Sequence, residues 1–393
     1  MGNQYRLFMF KITILIISTL FTTSVFAKKH GKPLDYDSIA ALNYHALEQA
    51  LPKYENAVRH PWPQVPQALI KPGNRTKSVL AIRHHLRLTG DLSPEEDSGK
   101  KVYDANLVEA VKKFQFRHGL EPDGVIGIAT IYELNIPPEQ RLMQIRINMN
   151  RWSRLSDKLG SRYILINIPA YRLDLVDSGE TIMSMRAVVG KPTRQTPEIF
   201  STVKRLVLNP YWNVPNGIAK KDIIPRASRD PYYLQENNIK ILDRQANDSY
   251  EIYPEEINWE RVKYEGFPYH FRQDPGVDNA LGLIKFEFPN NKDIFMHDTP
   301  SKNLFDRDKR AFSSGCIRIE RPFDLADYLM EESGSWNDEM VLDTLESGKT
   351  KYLKVSKPTK VVITYVTAWV DDHGNLQFRD DLYGLDGLEQ PIY

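Results

Sequence analysis

The stretch Arg162-Tyr163-Ile164-Leu165-Ile166-Asn167-Ile168 opens the region that decides the fold. Ile164, Ile166 and Ile168 alternate with Leu165 and Asn167, the period-two pattern of a strand. Tyr171, Leu173 and Leu175 repeat it, and Ser178-Gly179 gives a hairpin signal between Leu175 and Ile182. Further strands are predicted at 183–189, 203–208, 283–288 and 293–296. A helix is predicted over 322–332: Pro322 suits a first helical turn, and Phe323, Ala326, Leu329 and Met330 supply an apolar face. Residues 161–345 therefore read as a mostly-β domain, with 346–393 as an extension packing on it. Residues 218–276 interrupt the strand series with charge, tyrosine and proline. A segment that long inside a compact domain usually serves function, so it reads as an inserted lid.

Upstream the pattern is helical. Val79, Ile82 and Leu86 have helical spacing, and Gly90 stops the run. Asp104 is placed to cap a second helix carrying Leu107, Val111, Phe114 and His118 on one face, with Gly119 at its end. Pro122-Asp123-Gly124 is a turn, and a third short helix follows over 127–134. Residues 75–136 thus form a small three-helix module, and 137–160 a connecting helix. Residues 28–74 hold one helical piece at 39–51; Pro52, Pro61, Pro63, Pro66 and Pro72 then punctuate them as a support segment or linker.

At the N-terminus, Arg6 and Lys11 precede an apolar run from Ile12 to Phe21 and then small residues ending Val25-Phe26-Ala27. This is the layout of a cleaved export signal over 1–27. The run is short of the ~20 apolar residues that span a membrane, so membrane attachment is expected only if the signal stays uncleaved. Net charge is +1, which gives no reason to expect nucleic acid as a partner. No His/Asp/Glu cluster has metal-ligand spacing and no glycine-rich phosphate loop appears, so neither metal nor cofactor is expected.

The chemistry points to the only cysteine, Cys316, in Ser313-Ser314-Gly315-Cys316-Ile317-Arg318. In an oxidising compartment an unpaired thiol is either joined to another chain or kept for its reactivity. Arg318 nearby favours the thiolate, and His297, upstream in Phe295-Met296-His297-Asp298, is of the residue type that activates a nucleophile. A buried structural cysteine and a satisfied polar histidine are the alternatives.

Two sets of motifs carry a resemblance. Tyr103-Asp104, Ala110-Val111-Lys112-Lys113-Phe114-Gln115, Arg117-His118-Gly119-Leu120, Pro122-Asp123-Gly124, Ile126-Gly127 and Thr130 resemble the peptidoglycan-binding three-helix domain. The histidine followed by Ser-x-Gly-Cys-x-Arg, with Val189-Gly190-Lys191 and Thr196-Pro197 before it, resembles the L,D-transpeptidase family. Asn209-Pro210-Tyr211-Trp212-Asn213-Val214-Pro215, His297-Asp298-Thr299-Pro300 and Thr367-Ala368-Trp369-Val370 fit its large Gram-negative branch with a capping insert. Phe295 departs from the family, which often has tyrosine there.

The resemblance implies an α+β fold: a mostly-β catalytic domain with an inserted lid, behind a small three-helix wall-binding domain. It implies a periplasmic enzyme whose partners are peptidoglycan tetrapeptide stems, as donor and as acceptor. Cys316 would be the nucleophile and His297 its base, with backbone N–H groups of the Ser314-Gly315-Cys316 turn stabilising the oxyanion. Ser314, Trp212, Asn213 and Arg318 would contact substrate. For Arg318, pairing with a structural acid stays open; for Trp212, a core role does. The acceptor also stays open: a second stem, water, a lipoprotein lysine or a free D-amino acid. A wall-binding scaffold is the non-enzyme alternative, against which the intact Cys316, His297 and Arg318 argue.

Overall fold

A computed structural model describes residues 39–156, 158–244 and 249–389. The expected export signal at 1–27 lies outside them. Among the described residues no helix is long and apolar enough to cross a membrane.

Helix α1 (Ile39–Val58) continues through Pro52, where the sequence predicted its end. A proline inside a helix forfeits one backbone hydrogen bond. Here Tyr54 and Ala57, both beyond it, are buried, and their packing outweighs the loss. The linker expected over 28–74 is thus in part a packed helix. The module holds α2 (Ser78–Thr89), α3 (Ala105–Arg117) and α4 (Ile128–Asn135). Asp104 caps α3 as predicted, its carboxylate accepting the Leu107 amide at 3.1 Å. Val79, Ile82, Leu86, Leu107, Val111 and Phe114 close a core of their own. Helix α5 (Pro138–Leu155) packs Ile145, Met149 and Trp152 against Ala40, Leu47 and Tyr54 of α1. Polar contacts hold the module to the rest of the body. Arg117 binds buried Asp91 and donates to the Leu376 carbonyl at 2.8 Å, while Arg379 donates back to the Arg117 carbonyl.

Strands β1 (Arg162–Asn167), β2 (Arg172–Asp177) and β3 (Glu180–Gly190) form a meander, with Ser178 and Gly179 in left-handed conformation at the β2–β3 turn. Both faces of β1 are covered. Ile164 and Ile166 enter one core, whereas Tyr163 and Leu165 enter the other, under α1 and α5. Each such side chain contributes about 1.5–3 kcal/mol on burial. The strand predicted over 203–208 forms as β5 (Arg205–Leu208), and an unpredicted strand, β4 (Ile199–Thr202), precedes it.

The insert starts earlier than predicted, at β6 (Trp212–Asn213). It runs through α6 (Asn216–Ile218), a π-helical turn (Ala219–Ile223), α7 (Ile224–Ala227), α8 (Tyr233–Glu236), β7 (Ile239–Leu242), β8 (Glu251–Ile252), α9 (Trp259–Glu265) and β9 (His270–Gln273). Its strands make a separate sheet, in the order β6-β9-β7-β8, over a core that includes Val214, Ile223, Leu234, Ile241 and Phe271. The predicted lid is therefore a subdomain with its own apolar core.

The chain then returns to the main sheet with β10 (Ile284–Glu287), β11 (Met296–His297), β12 (Ala311–Ser313) and β13 (Ile317–Ile319). Helices α10 (Pro322–Met330) and α11 (Asp338–Glu346) precede β14 (Lys351–Lys354) and β15 (Lys360–Thr364). A two-stranded ribbon, β16 (Ala368–Val370) and β17 (Leu376–Phe378), follows. Among the described residues eleven strands form the main sheet, ten of them in the order β14-β5-β10-β11-β13-β3-β2-β1-β15-β4, with β12 on β3. The strand expected at 293–296 shrinks to β11, because Asp293 has φ +54 and turns the chain. The domain does not stop at 345: β14 extends the sheet, and β15 lies inside it, parallel to β1. The fold is α+β, as predicted.

Candidate active site

Sheet pairing brings His297 and Cys316 together. Strands β11 and β13 run parallel with Met296 opposite Ile317 and His297 opposite Arg318, so Cys316 enters β13 one step from this register. Cys316 is partly exposed, and its thiol donates to the Asp293 carbonyl at 3.8 Å. His297 is buried, its Nδ1 2.5 Å from the Asp298 carbonyl oxygen. A carbonyl only accepts, so Nδ1 carries the proton and Nε2 keeps its lone pair.

Burial sets the resting protonation states. It pushes the Cys316 thiol up to about 11, against the smaller pulls of a backbone hydrogen bond from Phe295 and the charges of Lys285 and Arg318. Burial, then the Arg318 charge, depresses His297 to about 3. At neutral pH the pair rests as thiol and neutral imidazole. Arg318 does favour the thiolate, as expected, but desolvation of the sulfur is the larger effect.

Arg318 has no acid partner among the described residues, and its Nε is buried without a hydrogen bond. The structural ion pair considered for it is absent there; the guanidinium lines the cavity beside Cys316. Gly315 has φ +121, a conformation L-residues avoid. Its N–H donates to Ser313 Oγ at 3.1 Å, so it is not the oxyanion donor expected of it; its contribution is the turn. Among the described residues no hydrogen bond takes the Cys316 amide, which remains the donor candidate.

The turn is braced from behind. Thr196 Oγ1 donates to the Gly315 carbonyl at 2.7 Å and accepts the Gly190 amide at 2.8 Å. Tyr383 donates to the Gly190 carbonyl at 2.6 Å and accepts the Thr196 amide at 3.1 Å. A Cβ on Gly190 would lie 2.2 Å from the Arg194 carbonyl oxygen. Gly190→Ala is therefore expected to displace the 191–196 loop, cost about 1–3 kcal/mol in urea unfolding and slow acylation of Cys316.

A cavity of about 600 Å³ opens over the sulfur. The sheet side supplies His297, Cys316 and Arg318, and the insert supplies Trp212, Ile218, Asp222 and Tyr233. Trp212 lines the cavity and also packs on the insert's core. Asn213, next along β6, is exposed and outside the lining, because adjacent strand residues face opposite ways. Ser314 is exposed at the rim, its Oγ accepting from Arg194 at 2.9 Å. Phe295, where the family often has tyrosine, sits with its ring 5.6 Å from the His297 ring and 4.2 Å from the Lys285 ammonium. Sequence reasoning missed Arg194, Asp222, Tyr383 and Lys285. Arg194 lies between the two motif pieces Val189-Gly190-Lys191 and Thr196-Pro197, and Lys285 and Tyr383 lie in the stretches 279–286 and 378–384 that fit the same branch, but no role was read for any of them. Among the described residues no group of His, Cys, Asp or Glu side chains is placed to hold a metal ion.

A buried histidine with a fixed tautomer and a cysteine at a strand start share one capped cavity, an arrangement compatible with nucleophilic chemistry. The model of the L,D-transpeptidase catalytic domain matches residues 161–363, and the chain belongs to that family. A second model, described as "Putative peptidoglycan binding domain", matches residues 75–134. A Haemophilus influenzae protein named "Putative L,D-transpeptidase" is 40% identical over 223 residues; the match covers 57% of this chain and 44% of that relative's length. Among solved structures, an L,D-transpeptidase of Xylanimonas cellulosilytica is 16% identical, with 78% of this chain and 100% of that one covered, at a TM-score of 0.24. One of Stackebrandtia nassauensis is 11% identical, with 77% and 96% covered, at a TM-score of 0.27. Both superpose poorly, so membership rests on the sequence match.

Proposed function

We propose that this chain is a periplasmic peptidoglycan L,D-transpeptidase that links third-position diaminopimelate residues through a thioester on Cys316. One observation carries the reading: Cys316 and His297 meet on adjacent parallel strands, with Nδ1 held by the Asp298 carbonyl and Nε2 left as a base.

His297 Nε2 takes the thiol proton as Sγ attacks the carbonyl of the third stem residue. The Cys316 amide donates to the oxyanion, and the uncompensated Arg318 holds a stem carboxylate. On collapse the proton passes from His297 to the departing D-alanine amine, leaving a thioester. The side-chain amine of a second stem then attacks; His297 accepts its proton and returns it to sulfur. The bond broken is itself an amide, so no nucleotide is consumed. The 75–136 module holds the enzyme on the wall, and the insert over Cys316 limits water, which favours the amine as acceptor.

Full-length protein incubated with purified disaccharide-tetrapeptide is expected to give a cross-linked dimer one alanine lighter than two donors, resolved by mass. Exclusive release of tripeptide would refute the cross-linking reading and leave an L,D-carboxypeptidase.

A further inference from the structure

Among the described residues, one side chain bonds both the insert and the turn that carries Cys316. Arg194, in the loop after β3, meets Asp222 of the π-helical turn with both guanidinium ends. Its Nη2 donates to Oδ1 at 2.9 Å and its Nη1 to Oδ2. The same Nη1 donates to Ser314 Oγ at 2.9 Å, two residues before the nucleophile. The Arg194 side chain is only 14% exposed, so this pair is shielded from water more than a surface ion pair.

Both ends are anchored. The Arg194 loop is pinned by Thr196, Gly190 and Tyr383 against the Gly315 carbonyl. Asp222 sits between Ala219 and Ile223, which are buried in the insert's core. A π-turn adds a residue to the helix and is frequent at functional sites. Lys191, Lys221, Arg226 and Lys292 also line the cavity, and among the described residues none makes an ion pair. Asp222 is matched instead with Arg194, the cation whose planar fork fits a carboxylate at both oxygens.

We propose that Arg194 is a positioning residue: it docks the insert over Cys316 through Asp222 and ties the docked insert to the nucleophile turn through Ser314. Docking then decides whether an amine or water resolves the thioester. This rests on the acyl-enzyme reading above.

The test uses the full chain as wild type, Arg194→Gln, Asp222→Asn and the charge-exchanged double variant Arg194→Asp with Asp222→Arg. Hydrogen exchange of residues 216–227 is expected to rise roughly tenfold in both single variants, the range of coupling seen for contacting residues, and to recover in part in the double variant. Exchange in β1–β3 stays as in wild type. With disaccharide-tetrapeptide, the dimer-to-tripeptide ratio falls in the single variants and recovers in part in the exchanged one. Wild-type exchange over 216–227 in both single variants overturns the latch. Faster exchange with an unchanged product ratio overturns its control of the acceptor. Failure of wild type to form any acyl-enzyme sinks the functional reading instead, and the exchange data still decide the latch.

Discussion

Cys316→Ala is expected to yield a folded protein that makes neither cross-linked nor hydrolysed product and gains no mass from a carbapenem. The substitution replaces one thiol by hydrogen at a partly exposed position that packs against the sheet's apolar core, and it removes only one heavy atom there. What disappears is the atom on which every later step of the proposed mechanism depends. The rate is expected to fall by about 10⁴-fold or more, the scale on which covalent catalysis fails when its nucleophile is removed. Intact-mass spectrometry reads it directly: wild type gains one carbapenem mass, because sulfur opens the strained ring, and the variant gains none. An adduct on Cys316→Ala would take the nucleophilic role away from Cys316.

His297→Ala is expected to slow acylation by about 10²–10⁴-fold, the usual contribution of a positioned acid–base group. The resting protonation states add a pH signature. With the thiol near 11, the thiolate fraction rises about tenfold per pH unit from neutrality upward. With the imidazole near 3, the base is available across that whole range. Alkylation of wild type by a small neutral electrophile should therefore climb steadily with pH and show no plateau below about pH 10. Acylation by a donor whose leaving group needs the His297 proton should climb less steeply. In His297→Ala the two profiles should become parallel. An alkylation plateau near pH 6–7 would mean a resting thiolate–imidazolium pair and would sink the neutral-pair description.

How much of this was legible in the sequence follows from the range of each interaction. β1–β3 were readable because alternation and a Ser178-Gly179 turn act within a few residues. The caps of α3 were readable for the same reason: Asp104 and Gly119 act on their own helix. Cys316 and His297 stood out by residue type and motif, although the strand pairing that brings them together was not visible. The misses are long-range. Pro52 was read as a stop because its cost is local, whereas the burial of Tyr54 against Phe378 is not. Asn213 and Trp212 looked alike in one motif, and only the pleat of β6 separates them. The Cys316 thiol was placed too low because Arg318 is two residues away in sequence, while the desolvation that outweighs it comes from the assembled fold. Arg194 and Asp222 belong to different subdomains, and nothing in either neighbourhood announces the pair.

The position of β15 has a bearing on when the frame around Cys316 is assembled. Tyr163 pairs with Lys360 and Asn167 with Thr364, and β4 pairs only on the far side of β15. A ribosome makes β1, the insert, His297 and Cys316 before it makes the strand that joins β1 to β4. Tyr383, which props the loop behind Cys316, emerges later still. Closing so long a loop is slow and comes late in folding. Chains interrupted before 364 thus carry Cys316 and His297 yet lack the strand pairing and the Tyr383 prop that frame them.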